Sequence, residues 1–261
     1  MGAVLQNKLF ISTRPEGQSD ELKRLFETEG AQLLEFPLIK INPLELSNDE
    51  TTVLESLNRF NWLILTSPNG VRSFFDRLKE NGIEALPASI QIGVIGKKTQ
   101  KVLSTFGYEP AFVNPGNTAE DFVAAFIPKI QNSTEKPQIL LALGNLARTV
   151  IQDELNVHAT CTRINVYETV MPDSTDKKTL QLINEDRYEM LIFTSPSTIQ
   201  NFMKLHLNIP AEDIRIACIG EITAREAKKQ GITPLVVAED ASAQGIVDAI
   251  IHYYSKKLKK L

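Results

Sequence analysis

Two stretches of this chain repeat each other, and this repeat constrains the fold more than any other feature. Residues 63–68 are LILTSP and residues 191–196 are LIFTSP. A second pair follows in the same order, with IGVIG at 92–96 and IACIG at 216–220. A duplication spread over so much of the chain is typical of two similar domains, and not of an array of short repeats.

Each repeated block predicts a strand followed by a helix. The apolar run before Thr-Ser-Pro is typical of a buried strand, and the residues after it carry apolar side chains at helical spacing. A polar turn that opens a helix supplies its N-cap. Similar patterns alternate along the whole chain, which predicts an α/β fold with mostly parallel sheets covered on both faces.

The predicted strands are unevenly distributed, which indicates a discontinuous first domain. Residues 1–36 hold one strand–helix–strand unit, and residues 172–261 hold three more strands. Together they would complete one five-stranded domain, whereas residues 44–163 would complete the other. Two extended segments, 37–43 and 164–171, are the predicted linkers. We expect them to pair antiparallel and to act as a hinge between the domains.

Charge and composition exclude several classes of protein. The 261 residues carry a formal net charge of −4, so no overall basic field would recruit nucleic acid. Two cysteines, Cys161 and Cys218, are too few for a disulfide framework. No apolar run approaches membrane-spanning length and no signal peptide opens the sequence, so we expect a soluble cytoplasmic protein without nucleic-acid or membrane partners.

No common catalytic or cofactor motif occurs in the sequence. The histidines His158, His206 and His252 are scattered along the chain, so no metal site is predicted. Glycine-rich phosphate loops and the Gly-X-Ser-X-Gly elbow of hydrolases are absent as well.

Polar residues instead follow the predicted strands, at the starts of helices. In open α/β sheets such turns lie at the carboxyl edge, where ligands bind, and the free N–H groups of a helix N-terminus attract anions. A helix is predicted from about 146 to 155, which includes Asn145 among these turns. The candidates are Ser67, Asn69, Lys97, Thr99, Asn117, Thr118, Asn145, Ser195, Ser197, Thr223 and Ser242.

Each candidate also has a plain structural explanation. A hydroxyl at a helix start is usually only a cap. Capping explains Thr99 and Thr223 less well, because they lie one turn into their helices. Arg14 and Arg148 follow equivalent strands of the two predicted domains and could bind carboxylates bidentately, although an exposed arginine is most often only solvated.

Several motifs, taken in their order and spacing, resemble the uroporphyrinogen-III synthase family. Besides the duplicated block they are the Ile-Gly-X-X-Thr turns, GNLAR at 144–148, VYET at 166–169 and IGEITA at 219–224. The resemblance covers nearly the whole chain. It implies two flavodoxin-like, doubly wound parallel-sheet domains joined by a two-stranded antiparallel linker.

The resemblance also implies an activity in heme biosynthesis. The family cyclises hydroxymethylbilane to uroporphyrinogen III: a hydroxyl leaves as water, ring D is inverted through a spiro intermediate, and the macrocycle closes. This reaction needs no metal and no cofactor. The protein expected from the resemblance is a monomeric lyase whose ligand is a linear tetrapyrrole, with a transient contact to the preceding enzyme of the pathway.

Tyr167 is the catalytic residue that the resemblance implies, because the family has a functional tyrosine on the linker that VYET matches. Its phenol is predicted to donate a proton to the leaving hydroxyl in a cleft between the domains. Without the resemblance, a tyrosine on a linker is more often a packing residue. The expected substrate-binding residues are Arg14, Ser67, Asn69, Lys97, Thr99, Asn145, Arg148, Ser195, Ser197 and Thr223.

Two other functions are consistent with parts of the sequence. A non-enzymatic, two-lobed cytoplasmic protein that binds a small anionic ligand would use the same helix N-termini. A pair of receiver domains would need an aspartate at a strand end, and neither Thr-Ser-Pro turn supplies one.

Overall fold

The chain forms two compact units. The computed structural model describes residues 4–114, 116, 118–131 and 135–258, and Asn117 therefore lies outside the described residues. The first unit comprises Met1–Lys40 and Val170–Leu261, and the second comprises Ile41–Thr169. Each unit is built around one sheet. None of the described helices is both long enough and apolar enough to cross a membrane.

Strands and helices alternate along the described parts of the chain. The strands are β1 (Leu9–Ser12), β2 (Gln32–Glu35), β3 (Lys40–Pro43), β4 (Trp62–Leu65), β5 (Gln91–Val94), β6 (Phe112–Val113), β7 (Gln138–Gly144), β8 (Thr160–Val170), β9 (Met190–Phe193), β10 (Ile216–Cys218) and β11 (Val236–Val237). The helices are α1 (Asp20–Thr28), α2 (Asn48–Glu55), α3 (Pro68–Glu80), α4 (Lys97–Thr105), α5 (Ala119–Ile130), α6 (Val150–Leu155), α7 (Lys177–Asn184), α8 (Pro196–Phe202), α9 (Glu221–Lys229) and α10 (Ala243–Leu258). Short 3-10 turns cover Leu57–Arg59 and Ala211–Asp213.

The sheet of the first unit has the strand order β2-β1-β9-β10-β11. All of its neighbouring strands run parallel. Successive side chains of a strand point to opposite faces of the sheet. Phe10 accordingly packs on one face with residues of α1 and α10, and Ile11 packs on the other face with residues of α7, α8 and α9. Helices therefore cover both faces of this sheet, as the alternation in the sequence predicts.

The sheet of the second unit has the order β3-β8-β7-β4-β5-β6. From β8 to β6 its neighbouring strands are parallel. Leu63 and Leu65 of β4 pack on one face with α3 and α4, whereas Ile64 packs on the other with Phe122 and Phe126 of α5. If the edge strand β3 is left out and β7 is counted first and β8 second, the spatial order of the other five strands becomes 2-1-3-4-5, which is also the order of the first sheet.

Strand β3 forms the outer edge of the second sheet, next to β8. The amide of Asn42 donates to Glu168 over 3.2 Å, and the backbone N–H of Leu44 donates to the carbonyl of Val166 over 3.3 Å. Residue numbers rise in the first segment as they fall in the second, so the two segments run antiparallel, as expected of 37–43 and 164–171.

Two element predictions differ from the structure. Strand β8 is continuous from Thr160 to Val170, so the predicted domain boundary at 163 and 164 falls inside a strand. The helix predicted from about 146 begins only at Val150. The reason is that the guanidinium of Arg163 donates to the carbonyls of Gly144 (3.1 Å) and Ala147 (3.2 Å), which holds this stretch as a turn.

Candidate active site

Tyr167 and Ser67 meet at the carboxyl edge of the second sheet. Ser67 follows β4, and Tyr167 lies near the carboxyl end of β8. Their side-chain oxygens are 3.2 Å apart, and either hydroxyl can be the donor. The ring of Tyr167 is partly buried against the core between this sheet, α3 and α4, so the phenol oxygen is held at a defined place.

Two glycines make room for the tyrosine ring. Gly144 ends β7 in register with Tyr167, and a Cβ built on it would lie 2.7 Å from the phenol oxygen. A Cβ on Gly70 would lie 3.8 Å from the ring and 3.2 Å from the hydroxyl oxygen of Ser67. Gly144 is therefore required to be glycine for steric reasons, because any larger residue would displace the phenol.

Asn145 supports the strand that carries Tyr167. Its backbone N–H donates to the carbonyl of Tyr167 over 3.0 Å, and its side-chain oxygen accepts from the N–H of Thr169 over 2.9 Å. The prediction that Asn145 opens a helix is wrong, because α6 starts five residues later for the reason given above. Asn145 holds the end of β8 in place.

The duplicated turns share their backbone but not their side-chain contacts. Ser67 and Ser195 have nearly the same dihedral angles, φ −153° and ψ 155° against φ −156° and ψ 155°. Ser67 accepts from the N–H of Gly70 over 3.0 Å and so caps α3. Ser195 caps no backbone N–H; its hydroxyl lies 3.0 Å from that of Ser197. The hydroxyl of Thr198 donates to the carbonyl of Ser195 over 2.7 Å.

Thr99 and Thr223 occupy the same position in two helices. Each is the third residue of its helix, α4 or α9, and they are only 2% and 3% exposed. The residues that precede these helices are Gly96 and Gly220, which have no side chain to cap them. Neither threonine hydroxyl has a hydrogen-bond partner among the described residues. Both helices therefore begin with uncapped N–H groups beside an unused hydroxyl, an arrangement that suits an anion.

The two candidate arginines have different surroundings. Arg148 makes a bidentate ion pair with Glu120, at 2.6 and 2.9 Å, and both side chains are 55% exposed. Its hydrogen bond to Glu120 raises the pKa of Arg148. Arg14 is half-buried, and no described residue accepts a hydrogen bond from its side chain. Burial lowers the pKa of the Arg14 guanidinium, against an opposing effect of the nearby Glu21.

The structure brings the candidates together in two groups. In the second unit, Ser67, Asn69, Tyr167, Asn145, Lys97 and Thr99 follow, or end, strands at the carboxyl edge. In the first unit, Arg14, Ser195, Ser197 and Thr223 follow β1, β9 and β10. The side chains of Asn69 and Lys97 have no hydrogen-bond partner among the described residues. Arg148 lies on the surface beyond the turn of Asn145.

The sequence gives no sign of one residue that supports the site, Arg163. Arg163 holds the turn that carries Gly144 and Asn145, and its side chain also contacts Asn165 over 3.1 Å. A single charged residue in a strand gives no spacing signal that links it to a turn 16 or more residues earlier. Within the described ranges, no group of three or more His, Cys, Asp or Glu side chains is placed to hold a metal ion.

Comparison with known proteins gives consistent matches over most of the chain. A family model described as "Uroporphyrinogen-III synthase HemD" matches residues 20–248. The porphyrin biosynthesis protein HemD of Ruminiclostridium josui is 27% identical over 243 residues, which cover 92% of this chain and 47% of that protein. The chain thus spans about half the length of this relative. The uroporphyrinogen-III synthase of Chlorobaculum parvum is 27% identical over 252 residues, covering 93% of this chain and 98% of that protein.

A solved structure shares the fold. The crystal structure of uroporphyrinogen-III synthetase from Helicobacter pylori superposes with a TM-score of 0.65 at 18% identity, covering 94% of this chain and 99% of that one. At this level of identity the likeness concerns the fold alone. It confirms the α/β class with parallel sheets that the sequence predicts.

Proposed function

Because this chain belongs to the uroporphyrinogen-III synthase family, we propose that it closes hydroxymethylbilane into uroporphyrinogen III with Tyr167 as the acid. The reaction of this family is a cyclisation with loss of water. The observation that carries the role of Tyr167 is its contact with Ser67, in which two hydroxyls lie 3.2 Å apart at the carboxyl edge of a parallel sheet. Ligands of such sheets bind at that edge.

The hydrogen bonds around Ser67 leave the phenol free to act as a donor. The N–H of Gly70 donates to the oxygen of Ser67, so the serine can give its own hydrogen to Tyr167. A hydroxyl that accepts one hydrogen bond still has its own hydrogen to donate. The phenol hydrogen of Tyr167 is then available to a ligand.

Proton transfer from Tyr167 would assist the departure of the substrate's hydroxyl. As the carbon–oxygen bond breaks, the phenol supplies the proton that converts the leaving group into water, a contribution of about 10²- to 10⁴-fold for a well-placed acid. Ser67 stabilises the phenolate by donating to it. When the macrocycle closes, a pyrrole carbon loses a proton, and this proton restores the phenol, so the proton count balances.

The carboxylates of the tetrapyrrole are the proposed ligands of the helix N-termini and of Arg14. Thr99 and Thr223 support this through their unused hydroxyls beside uncapped helix starts. Arg14 supports it through a half-buried guanidinium without a hydrogen-bond acceptor in the described parts of the chain. The other proposed binding residues are Ser67, Asn69, Lys97, Asn145, Arg148, Ser195 and Ser197. Of these, Arg148 would have to exchange Glu120 for a substrate carboxylate.

The two units are proposed to be flavodoxin-like domains. The first sheet has the spatial order 2-1-3-4-5 along the chain, and the second has it when counting starts from β7. This is the strand order of flavodoxin-like folds. The proposed first domain is 1–36 with 172–261 and the second is 44–163, with the segments 37–43 and 164–171 as the links.

Other expectations stay predictions from the sequence. They are the cytoplasmic location, the monomeric state, the absence of a cofactor and the transient contact with the preceding enzyme. The alternative of a non-enzymatic binding protein is not favoured, because family membership points to an enzyme.

Isomer analysis tests the proposed function directly. The protein is incubated with hydroxymethylbilane generated enzymatically in the same tube, the products are oxidised, and the type I and type III isomers are separated by chromatography. We expect the type III isomer to dominate, whereas the reaction without the protein gives type I. A product mixture unchanged by the protein would overturn the proposal.

A further inference from the structure

Four large apolar side chains stand out as exposed in the described part of the chain. They are Leu146 (60% exposed), Val157 (65%), Ile222 (50%) and Leu235 (39%). Single exposed apolar residues are common on protein surfaces and need no explanation by themselves. Their positions in the two sheets, however, divide them into two pairs.

Leu146 and Ile222 lie at carboxyl edges, whereas Val157 and Leu235 lie at amino ends. Leu146 follows β7 directly after Asn145, and Ile222 is the second residue of α9, which follows β10. Val157 lies in the turn before β8, and Leu235 immediately precedes β11. Each unit therefore has one exposed apolar side chain at the edge where ligands of parallel sheets bind and one at the opposite edge.

Leu146 is presented by a rigid turn. Ala147 donates its N–H to the carbonyl of Gly144 over 3.0 Å, and Asn145 donates to the carbonyl of Tyr167 over the same distance. Arg163 donates to both Gly144 and Ala147. These four hydrogen bonds fix the turn, so the exposed side chain of Leu146 is held next to the strand of the proposed acid.

Ile222 is presented beside an unused hydroxyl. It lies between Gly220, which opens α9, and Thr223, which is buried and has no hydrogen-bond partner among the residues that the structure describes. Aligning Gly96 with Gly220 pairs Ile222 with Lys98, so the internal duplication does not account for an apolar residue here.

A linear tetrapyrrole combines the two chemistries found at these edges. Its pyrrole rings have apolar faces, and its side chains end in carboxylates. Removing apolar surface from water favours binding in proportion to the area that is buried. We propose that Leu146 and Ile222 pack against pyrrole faces of the substrate while the neighbouring donors bind its carboxylates. This assignment rests on the proposed function and adds two substrate-binding residues to it.

The test compares serine variants at the two edges. Leu146→Ser and Ile222→Ser remove the apolar contact at the carboxyl edges, and Val157→Ser and Leu235→Ser are the matched controls in the same units. We expect KM for hydroxymethylbilane to rise roughly five- to tenfold in the first pair, which is the scale of burying part of one apolar side chain. The kcat should change less, since binding is weakened in the ground state and the transition state alike. The controls should keep the KM of the unmodified protein.

Conservative variants and melting temperatures separate binding from folding. Leu146→Met and Ile222→Leu keep an apolar side chain and should keep the original KM. If a serine variant melts early, the Gln variant of the same residue, which keeps the length of the side chain, replaces it. If the unmodified protein forms type III product and all four serine variants have its KM, this inference is overturned and the proposed function stays intact. Failure of the unmodified protein to form type III product would overturn both.

Discussion

At the scale of single residues, the candidate site depends on which hydroxyl groups are already used. The hydroxyl of Ser67 already makes two hydrogen bonds, one from the N–H of Gly70 and one with the hydroxyl of Tyr167. Thr99 and Thr223 are almost fully buried, and their hydroxyls have no partner in the described ranges. Because neither hydroxyl oxygen is among the buried polar atoms that lack a partner in the described ranges, each remains accessible and can donate a hydrogen bond to a ligand that accepts one.

Thr99→Val and Thr223→Val test that explanation. Valine keeps the shape of threonine and removes the hydroxyl, so each change should cost about 1–2 kcal/mol of substrate binding and raise KM roughly tenfold. Stability should hardly change, because no internal hydrogen bond is lost. Steady-state kinetics and thermal melting measure the two effects.

Thr179→Val is the matched control for these variants. Thr179 is also the third residue of its helix and is 3% exposed, but its hydroxyl donates to Asp176 over 2.6 Å. This variant should lower the melting temperature and leave KM unchanged. Threonine variants at 99 and 223 that behave like this control would reassign both hydroxyls to the stability of the fold.

Glu189 is expected to make stability depend on pH. Burial raises its pKa, but hydrogen bonds from Tyr254 (2.7 Å) and Lys8 (3.0 Å) outweigh burial and leave the pKa below its ordinary value of 4.5. A carboxyl whose pKa is lowered by folding stabilises the protein above its unfolded pKa, and this contribution is lost as pH falls through the folded pKa. The stabilisation from Glu189 is therefore expected to be lost below about pH 5.

Tyr254→Phe should reduce that dependence. The variant removes one hydrogen bond to Glu189, so its free energy of unfolding should fall less than that of the unmodified protein between pH 6 and pH 3, both approximate limits. Urea denaturation at several pH values measures this. Tyr253→Phe is the control, because the hydroxyl of Tyr253 bonds to no described residue. Parallel curves for Tyr254→Phe and the unmodified protein would contradict the role of Glu189.

At the scale of elements, local patterns predicted most helices and strands but not where tertiary contacts end them. The apolar spacing after Asn145 favours a helix from about 146, yet α6 begins at Val150. Arg163 of β8 donates hydrogen bonds to the carbonyls of Gly144 and Ala147. These contacts hold the stretch as a turn and compete with helix formation. Strand β8 likewise runs through the boundary predicted at 163 and 164, because its pairing with β7 continues from Thr160 to Tyr167.

The duplicated turns show a similar limit of sequence reasoning. The same Thr-Ser-Pro sequence predicts the same cap twice, and only Ser67 forms it. In the second copy, Ser197 and Thr198 offer hydroxyls close to Ser195, and local hydroxyl contacts replace the cap. Short polar side chains commonly compete with the backbone in this way.

Ser67→Ala and Ser195→Ala should therefore differ in stability. Ser67→Ala removes a helix cap and should lower the free energy of unfolding by about 1 kcal/mol. Ser195→Ala removes only the contacts of its hydroxyl with the hydroxyls of Ser197 and Thr198 and should have a smaller effect. Chemical denaturation of both variants gives the comparison. Equal losses would contradict the assignment of the cap to Ser67 alone.

At the scale of the whole molecule, the sequence predicts the fold class better than the site. Strand–helix alternation predicts parallel sheets covered on both faces, and the opposite packing of Phe10 and Ile11 agrees with it. The sequence identifies Tyr167 and Ser67 as separate candidates, but their contact joins residues 100 positions apart and has no signal in the sequence. The exposure of Leu146 and the support from Arg163 likewise depend on the folded chain.

A single phenol, that of Tyr167, is the proposed acid for ring closure. Tyr167 is paired with a hydroxyl that can donate to it and is seated over Gly144, which leaves room for the ring. Positioning of the substrate would provide the rest of the rate and the selectivity, because holding reacting groups in the right geometry lowers the entropic part of the barrier.

The most direct test is the turnover of Tyr167→Phe with hydroxymethylbilane, measured together with the ratio of type III to type I product. The variant removes only the phenolic hydroxyl, so its melting temperature should stay near that of the unmodified protein. Tyr254→Phe is the control, since it removes a hydrogen-bonded phenol that contacts Glu189 outside the candidate site. We predict that kcat falls by about 10²-fold or more for Tyr167→Phe, with little change in KM, and not for the control. A folded Tyr167→Phe variant with undiminished kcat would contradict the account.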